Sequence, residues 1–545
     1  MRFPFLVAAF ASLLPALAAA VERPNILLIV ADDLGYSDLG AFGGEINTPN
    51  LDKLASSGLL LTNMYAAPTC SPTRAMLMSG SDNHLVGLGT MAEGMQPFQR
   101  GKPGYEGYLN REAHSIAQLL RDGGYRTSMV GKWHLGLAPD QGPDQRGFEN
   151  SFSLLEGGGV HFKPPSKPSS KIEEVTYREN GQPVDLPEDF YSTDFYTDRM
   201  ISFLRRSNGS EKPFFAYVAY TSPHWPLQAP DEYLDKYHGR YDQGYDVVRQ
   251  ARIDRLRQKG LLSTQAVPAS TLPVTPILPG WEQLSPEQRK VESRKMEIYA
   301  AMVDNLDHNV GRLLDYLKAS GQYENTLIVF MSDNGPAGER HELFYPAGPD
   351  TDNSLGNLGR RGSQIDYGLR WAEVSSTPFR LFKGSTAEGG ISVPAIVHMP
   401  QQFAREGVEQ GVARVDDLAP TFLSLAGVKD PGNQYHGQPK HPITGLSMLP
   451  MLQGKEAKPR VFAGELFGSL YYREGNLKLL GLRPWALPGE APKPLRWQLF
   501  DLSRDRGEVA DLSADSPQTV ERLKRDWQKY ATQVGVVSPP QEQAQ

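Results

Sequence analysis

A single cysteine, Cys70, stands in a chain of 545 residues. No internal disulfide can form, so stability has to come from a large buried core. Excess positive charge is also lacking: 56 Lys and Arg face 63 Asp and Glu, a net charge of -7. That balance argues against nucleic acid as the main partner. It leaves small anions open, because local charge handles them. Beyond the N-terminus no stretch is long and apolar enough to span a bilayer, so no stable membrane partner is expected. No solenoid-type repeat is present. The length exceeds that of one core, about 250–300 residues, and points to more than one domain.

The N-terminus reads MRFPFLVAAFASLLPALAAAVERPN. Arg2 supplies a small positive start, an apolar run broken by Pro15 follows, and Ala18-Ala19-Ala20 is a small-residue cleavage site. This is the pattern of a secretory signal peptide over residues 1–20, with the mature chain starting near Val21. The expectation is an exported protein, periplasmic or extracellular. An exported chain with one leftover cysteine is worth flagging for reactivity, although a lone Cys is more commonly a small buried hydrophobe. Asn208, in SNGS, forms a glycosylation sequon that matters only in a cell that glycosylates.

Helical patterns then alternate with short apolar runs. Ile26 to Val30 is one uninterrupted apolar run and ends in Asp32-Asp33. KPFFAYVAY stops at SPHWP, and NTLIVFM stops at SDNG. Between 285 and 319, Tyr299, Val303, Leu306, Val310, Leu313 and Leu317 recur at helical spacing. Pro72 fits the first turn of a helix over PTRAMLMSG. The alternation predicts an α/β domain with a mostly parallel sheet over residues 21–415. Residues 161–185, 264–284 and 335–378 read as long loops that wall a site. From 416 to 545 the pattern changes to antiparallel strands, with a turn near Glu474-Gly475-Asn476, and a final helix: a smaller α+β domain.

NILLIVADDLG and NTLIVFMSDNG resemble each other. Ligands of parallel α/β sheets bind at the carboxyl ends of strands. If both strands share a sheet, Asp32, Asp33, Asp333 and Asn334 converge there. Carboxylates packed together repel, so a cation is expected between them. All-oxygen donors, without a Cys or His cluster, favour a hard ion such as Ca²⁺ or Mg²⁺. Taken singly, each acidic pair is as well explained by loop and helix capping. In GKWHLG, Lys132 and His134 point to one side if the segment is extended. His224 in SPHWP and Lys383 in RLFKGSTAEGG would complete a cationic pocket suited to sulfate or phosphate.

These segments carry a resemblance. C-S-P-T-R at residues 70–74 is similar to the C-x-P-x-R maturation signature of type I, formylglycine-dependent sulfatases, and GKWHLG resembles that family's second signature. ADD, PHWP, SDNG and the Lys383 segment complete the set, most closely that of bacterial-type arylsulfatases. The resemblance implies the alkaline-phosphatase-like fold: a large α/β domain plus a smaller C-terminal four-stranded antiparallel sheet with a helix. It implies that Cys70 is oxidised by a formylglycine-generating enzyme, which reads Pro72 and Arg74. The product, 3-oxoalanine, hydrates to a gem-diol. One hydroxyl takes the sulfuryl group from the ester; the second loses its proton, the aldehyde reforms and sulfate leaves.

The remaining roles are implied in the same way. Asp32, Asp33, Asp333, Asn334 and modified residue 70 would hold one Ca²⁺, and Asp333 would accept the nucleophile's proton. Lys132 and Lys383 would bind sulfate oxygens. His134 would hydrogen-bond the second hydroxyl, His224 would protonate the leaving oxygen and contact substrate, and Arg74 would steady residue 70. The partner is then a small sulfate ester, and a monomer is the family default. Two other readings share these residues: a phosphonate monoester or phosphodiester hydrolase, and a non-catalytic oxyanion- or glycan-binding relative with an unmodified thiol. Trp225, Tyr367 and Trp371 are candidate walls for an apolar leaving group, with core packing as the alternative for each.

Overall fold

A computed structural model describes residues 23–206, 208–338, 341, 346–456, 459–483 and 493–539. The expected signal peptide lies outside the described residues.

The large sheet orders its strands as Gly407–Glu409, Leu59–Tyr65, Ser392–His398, Thr326–Ser332, Asn25–Ala31, Phe214–Ala219, Arg126–Lys132, Asn150–Leu154, Tyr177–Glu179 and Gln182–Pro183. Its centre is parallel, with Asn25–Ala31 between Thr326–Ser332 and Phe214–Ala219. The apolar runs follow from burial on both faces. Alternate side chains of the central strand feed two separate cores: Leu27, Ile29 and Ala31 one, Ile26, Leu28 and Val30 the other. Helices cover each face. On the first lies Pro286–Ala319, capped by Ser285, whose Oγ accepts from the Gln288 N–H while the Gln288 side chain accepts from the Ser285 N–H. All six periodic residues named above are buried along it.

The sheet is mixed. Ser392–His398 runs antiparallel to both of its neighbours. The 161–185 segment is more ordered than a loop: Tyr177–Glu179 and Gln182–Pro183 form a hairpin that extends the sheet from Asn150–Leu154. Its turn is Asn180-Gly181, both at positive φ (49° and 79°), the backbone that a two-residue hairpin demands. Among the described residues of 335–378 there is one α-helix, Gly368–Ser375.

The C-terminal sheet is antiparallel in chain order: Val461–Leu466, Ser469–Glu474, Leu477–Leu482, Arg496–Asp501. Helix Pro517–Val534 packs on it through Val520, Leu523 and Trp527. The helix Leu418–Ala426, beyond residue 415, packs in the second core of the large sheet, so by packing the small sheet proper begins at Val461. A shared apolar cluster joins the two parts: Tyr65, Ala387 and Ile391 meet Phe462, Tyr471, Leu480 and Phe500.

Candidate active site

The register of the two central strands builds the site. Ala31 lies beside Ser332, so Asp32 and Asp333 leave the sheet side by side at its carboxyl edge. Asp33 turns away in the left-handed region, φ 64°, and its N–H donates to Asp333 Oδ1 at 3.3 Å. Asn334 Nδ2 donates to Asp33 Oδ1 at 2.6 Å. The Asn334 Oδ1 atom is buried and has no partner among the described residues.

Cys70 opens the helix Cys70–Ser79, every residue of which is buried. Its Sγ stands 3.5 Å from Asp32 Oδ1 and 3.9 Å from Asp33 Oδ1. Donor atoms of Asp32, Asp33, Cys70 and His224 all lie within 4.8 Å of one another. One turn along, Arg74 reaches Asp333 Oδ2 with Nε at 3.0 Å and a terminal nitrogen at 2.8 Å, and donates to the Lys132 carbonyl at 3.0 Å. Lys132 ends its strand and donates to both oxygens of Asp32, at 2.9 and 2.7 Å.

Lys383 Nζ lies 3.0 Å from Asp33 Oδ2 and 3.5 Å from His224 Nε2. Its turn is tied to the other active segments: the Lys383 N–H donates to Pro336 O and the Gly384 N–H to Pro68 O. His224 Nδ1 sits 2.5 Å from Trp225 O, so it carries the proton and leaves Nε2 toward Asp33, 3.5 Å away. His161, missed in the sequence, supports this strand end. Its Nε2 lies 2.9 Å from the His224 carbonyl and its Nδ1 2.8 Å from Ser192 Oγ.

Electrostatics follow burial. Burial opposes ionisation of Asp33, but Lys383, His224 and Lys132 outweigh it and hold the carboxyl at about 2. Burial, with Asp32 next to it, pushes Asp333 up against Arg74. Burial pushes the Cys70 thiol well up, although Lys132 and Lys383 pull the other way; such a thiol is a weak nucleophile. Burial drives His224 well below the usual histidine range despite Asp33.

The three carboxylates are matched one to one by Lys132, Lys383 and Arg74. A divalent cation among them would leave the pocket with a surplus of two positive charges, fit for an anionic ester. Cys70 and His224 add a sulfur and a nitrogen to the group, but Asp32, Asp33 and the unpartnered Asn334 oxygen are donors that suit a hard ion.

Three expectations need correction. The segment past Lys132 is not extended: His134 sits at φ 54°, so it does not simply follow Lys132 to one side. Its ring meets Glu93 instead, Nε2 to Oε1 at 3.0 Å. Tyr367 and Trp371 are core residues. Tyr367 stacks on Tyr299 at 4.4 Å between centroids, and Trp371 packs against Tyr241, Tyr245 and Trp281. Trp225 does adjoin the site, between the rings of His224 and His341. A run of three glycines was missed as well. A Cβ on Gly157 would lie 2.5 Å from His134 Cε1, and one on Gly158 would lie 3.0 Å from His224 Cε1. These glycines let the two imidazoles approach the loop.

The sulfatase family model matches residues 24–428. This chain belongs to the sulfatase family. An uncharacterized sulfatase of Schizosaccharomyces pombe is 43% identical over 540 residues, covering 96% of both chains. An arylsulfatase of Klebsiella aerogenes is 39% identical over 440 residues, 79% of this chain and 92% of that one. The solved structure of Ps i-CgsB in complex with k-i-k-neocarrahexaose superposes with a TM-score of 0.65 at 27% identity, covering 93% of each chain. The sulfatase described here is thus a hydrolase of sulfate esters, built on the alkaline-phosphatase-like fold of its relatives.

Proposed function

We propose that this sulfatase is of arylsulfatase type and cleaves sulfate monoesters to an alcohol or phenol plus sulfate, using a residue 70 converted from cysteine to formylglycine, with one Ca²⁺. The observation that carries this is the position of Cys70 Sγ, 3.5 and 3.9 Å from two strand-end carboxylates and bracketed by Lys132 and Lys383. Asp32, Asp33, Asp333 and Asn334 would hold the ion, whose chemistry is to draw charge from the sulfate oxygens and to acidify the attacking hydroxyl. The hydrated aldehyde supplies that hydroxyl and, through its second one, a route for sulfate to leave.

This chain's own residues do the rest. Lys132 and Lys383, freed from their carboxylates, bind the anionic oxygens of the ester. Lys383 passes a proton across 3.5 Å to His224 Nε2, and His224 gives it to the leaving oxygen. Asp333, kept in place by Arg74, accepts the nucleophile's proton. Trp225 lines the leaving-group side.

The test joins a mass and a panel. In protein made with the converting enzyme, the peptide holding residue 70 should weigh about 18 Da less than its thiol form. That protein should turn over aryl sulfates and lose the activity to a calcium chelator. Faster turnover of aryl phosphodiesters or phosphonates moves the assignment to the phosphonate hydrolases. An unmodified thiol that binds sulfated ligands without turnover moves it to the binding reading. Export belongs to the same proposal, and a mature N-terminus near Val21 is its mark.

A further inference from the structure

We infer that Glu93 is a positioning residue for this reaction: its carboxylate holds the Nε2–H of His134 and so leaves Nδ1 as a proton acceptor beside the catalytic cluster. The inference rests on the reading above and adds a residue that it does not contain.

The geometry starts at the hydrogen bond. Glu93 Oε1 stands 3.0 Å from His134 Nε2. An ionised carboxylate only accepts, so the proton of a neutral ring must sit on Nε2. The other ring nitrogen, Nδ1, is buried and has no partner among the described residues. A base fixed by a third group is the arrangement that sets tautomer and aim at once.

Stability does not explain the pair. The Glu93 side chain is 41% exposed and that of His134 is 10% exposed, and half-exposed ion pairs contribute little. Against that small gain stand two unfavourable features. His134 holds a left-handed backbone, φ 54°, on a residue that is not glycine. Its Nδ1 forgoes a hydrogen bond while buried. Both features collect at functional sites.

The ring is also held next to the cluster. Lys132, two residues earlier, bonds Asp32. The His134 N–H donates to Leu155 O at 3.2 Å, which fixes the backbone against the loop carrying the glycine run, just past strand Asn150–Leu154. Gly157 touches the His134 ring and Gly158 touches that of His224. Consecutive residues are 3.8 Å apart at Cα, so the two imidazoles lie no more than about 12 Å apart across that pair. The ring is thus tied to the two segments that carry Lys132 and approach His224, and on this inference its unpartnered nitrogen takes the proton given up by a hydroxyl of the hydrated aldehyde. Glu93 lies 41 positions before its partner.

Glu93→Ala and Glu93→Gln test this on the full chain, with Cys70 unconverted and converted. On the unconverted protein, imidazole nitrogen NMR, assigned with His134→Asn, reads the tautomer without any turnover. Wild type should show Nε2 protonated and Nδ1 bare. Glu93→Ala should mix the tautomers, while Glu93→Gln, whose amide oxygen still accepts, should keep the wild-type pattern. On the converted enzyme, Glu93→Ala should lose about 10- to 100-fold in kcat with KM nearly unchanged, and Glu93→Gln should recover most of it. An unaltered His134 tautomer in Glu93→Ala overturns the inference. So does a raised KM at constant kcat, which would make Glu93 a contact for a cationic substrate. If converted wild type hydrolyses no sulfate ester, the functional reading fails while the tautomer result still stands.

Discussion

Arg74 grips one oxygen of Asp333 from two sides, Nε at 3.0 Å and a terminal nitrogen at 2.8 Å from Oδ2, with neither side chain exposed. Removing one member of such a pair leaves a bare charge in the interior. Arg74→Ala should destabilise the fold by about 3–5 kcal/mol, measured by urea unfolding in the presence of a chelator. Arg74→Lys should recover part of that, since it restores charge but not the two-pronged geometry. A loss below about 1 kcal/mol in Arg74→Ala would mean that Asp333 is not ionised in the fold.

The glycine run makes a graded series. Gly157→Ala puts a methyl 2.5 Å from His134 Cε1 and 2.6 Å from Nε2, and Gly158→Ala puts one 3.0 Å from His224 Cε1. The first should cost about 100-fold in kcat, the second several-fold, since small misplacements near the chemistry are expensive. Gly159→Ala meets Val175 Cγ1 at 2.6 Å, away from both rings, and serves as the packing control. Steady-state kinetics with melting curves for all three decide the order. Equal losses for all three would place the cause in the loop rather than in the imidazoles.

Lys478 ties the small sheet to the Lys383 turn. Its Nζ lies 2.9 Å from Glu388 Oε1 and 2.7 Å from Glu508 Oε1, all three buried. Tyr65 adds a hydrogen bond to Glu388 at 2.7 Å. Lys478→Met removes the ammonium shared by two buried carboxylates, leaving Glu388 to Tyr65 and Arg506 and Glu508 to Arg380, and should destabilise by about 2–3 kcal/mol, below the full cost of an unpaired buried charge. Glu388 is only five positions beyond Lys383, so KM for the ester should rise at temperatures where the variant remains folded. An unchanged KM would show the turn to be held by Pro68 and Pro336 alone.

Two buried histidines should shape stability against pH in opposite directions. Burial holds His161 down, at about 4. Its contribution is complete above the unfolded value near 6.5 and is lost as pH falls toward 4, because the unfolded chain binds the proton first. For His84 burial also opposes the charge, yet Asp82 at 3.0 Å and Glu465 at 3.5 Å outweigh it and raise the ring to about 9. That contribution is complete below 6.5 and is lost as pH rises through 9. Denaturant unfolding from pH 4 to 10 should show a flatter acid limb in His161→Gln and a flatter alkaline limb in His84→Gln. Limbs parallel to wild type would remove both assignments.

The strands and the acidic turns were legible because strands buried on both faces must be continuous apolar runs, and each run ended in oxygen-bearing side chains. The helix over 285–319 was legible by its spacing and confirmed by the Ser285 cap. The pairing was only half legible. Lining up NILLIVADDLG with NTLIVFMSDNG matches Asp33 to Asp333, whereas the true register is one residue further and sets Asp32 beside Asp333. The Asn180-Gly181 turn was written in the sequence, but its strands are only three and two residues long. Glu93 and His161 left no local pattern, since their partners are 41 and 63 positions away. Trp371 read as a wall because aromatic composition does not distinguish a pocket from a core.

The burial of the helix Cys70–Ser79 has a consequence in time. Cys70 is 1% exposed, and the whole helix is sealed between the sheet and its neighbours. No protein catalyst can reach that sulfur once the sheet has closed. On the proposed function, the conversion of residue 70 has to act on the nascent or still open chain. A batch that folds with its thiol intact is then committed, and adding the modifying enzyme afterwards should awaken nothing until the protein is unfolded and allowed to start again.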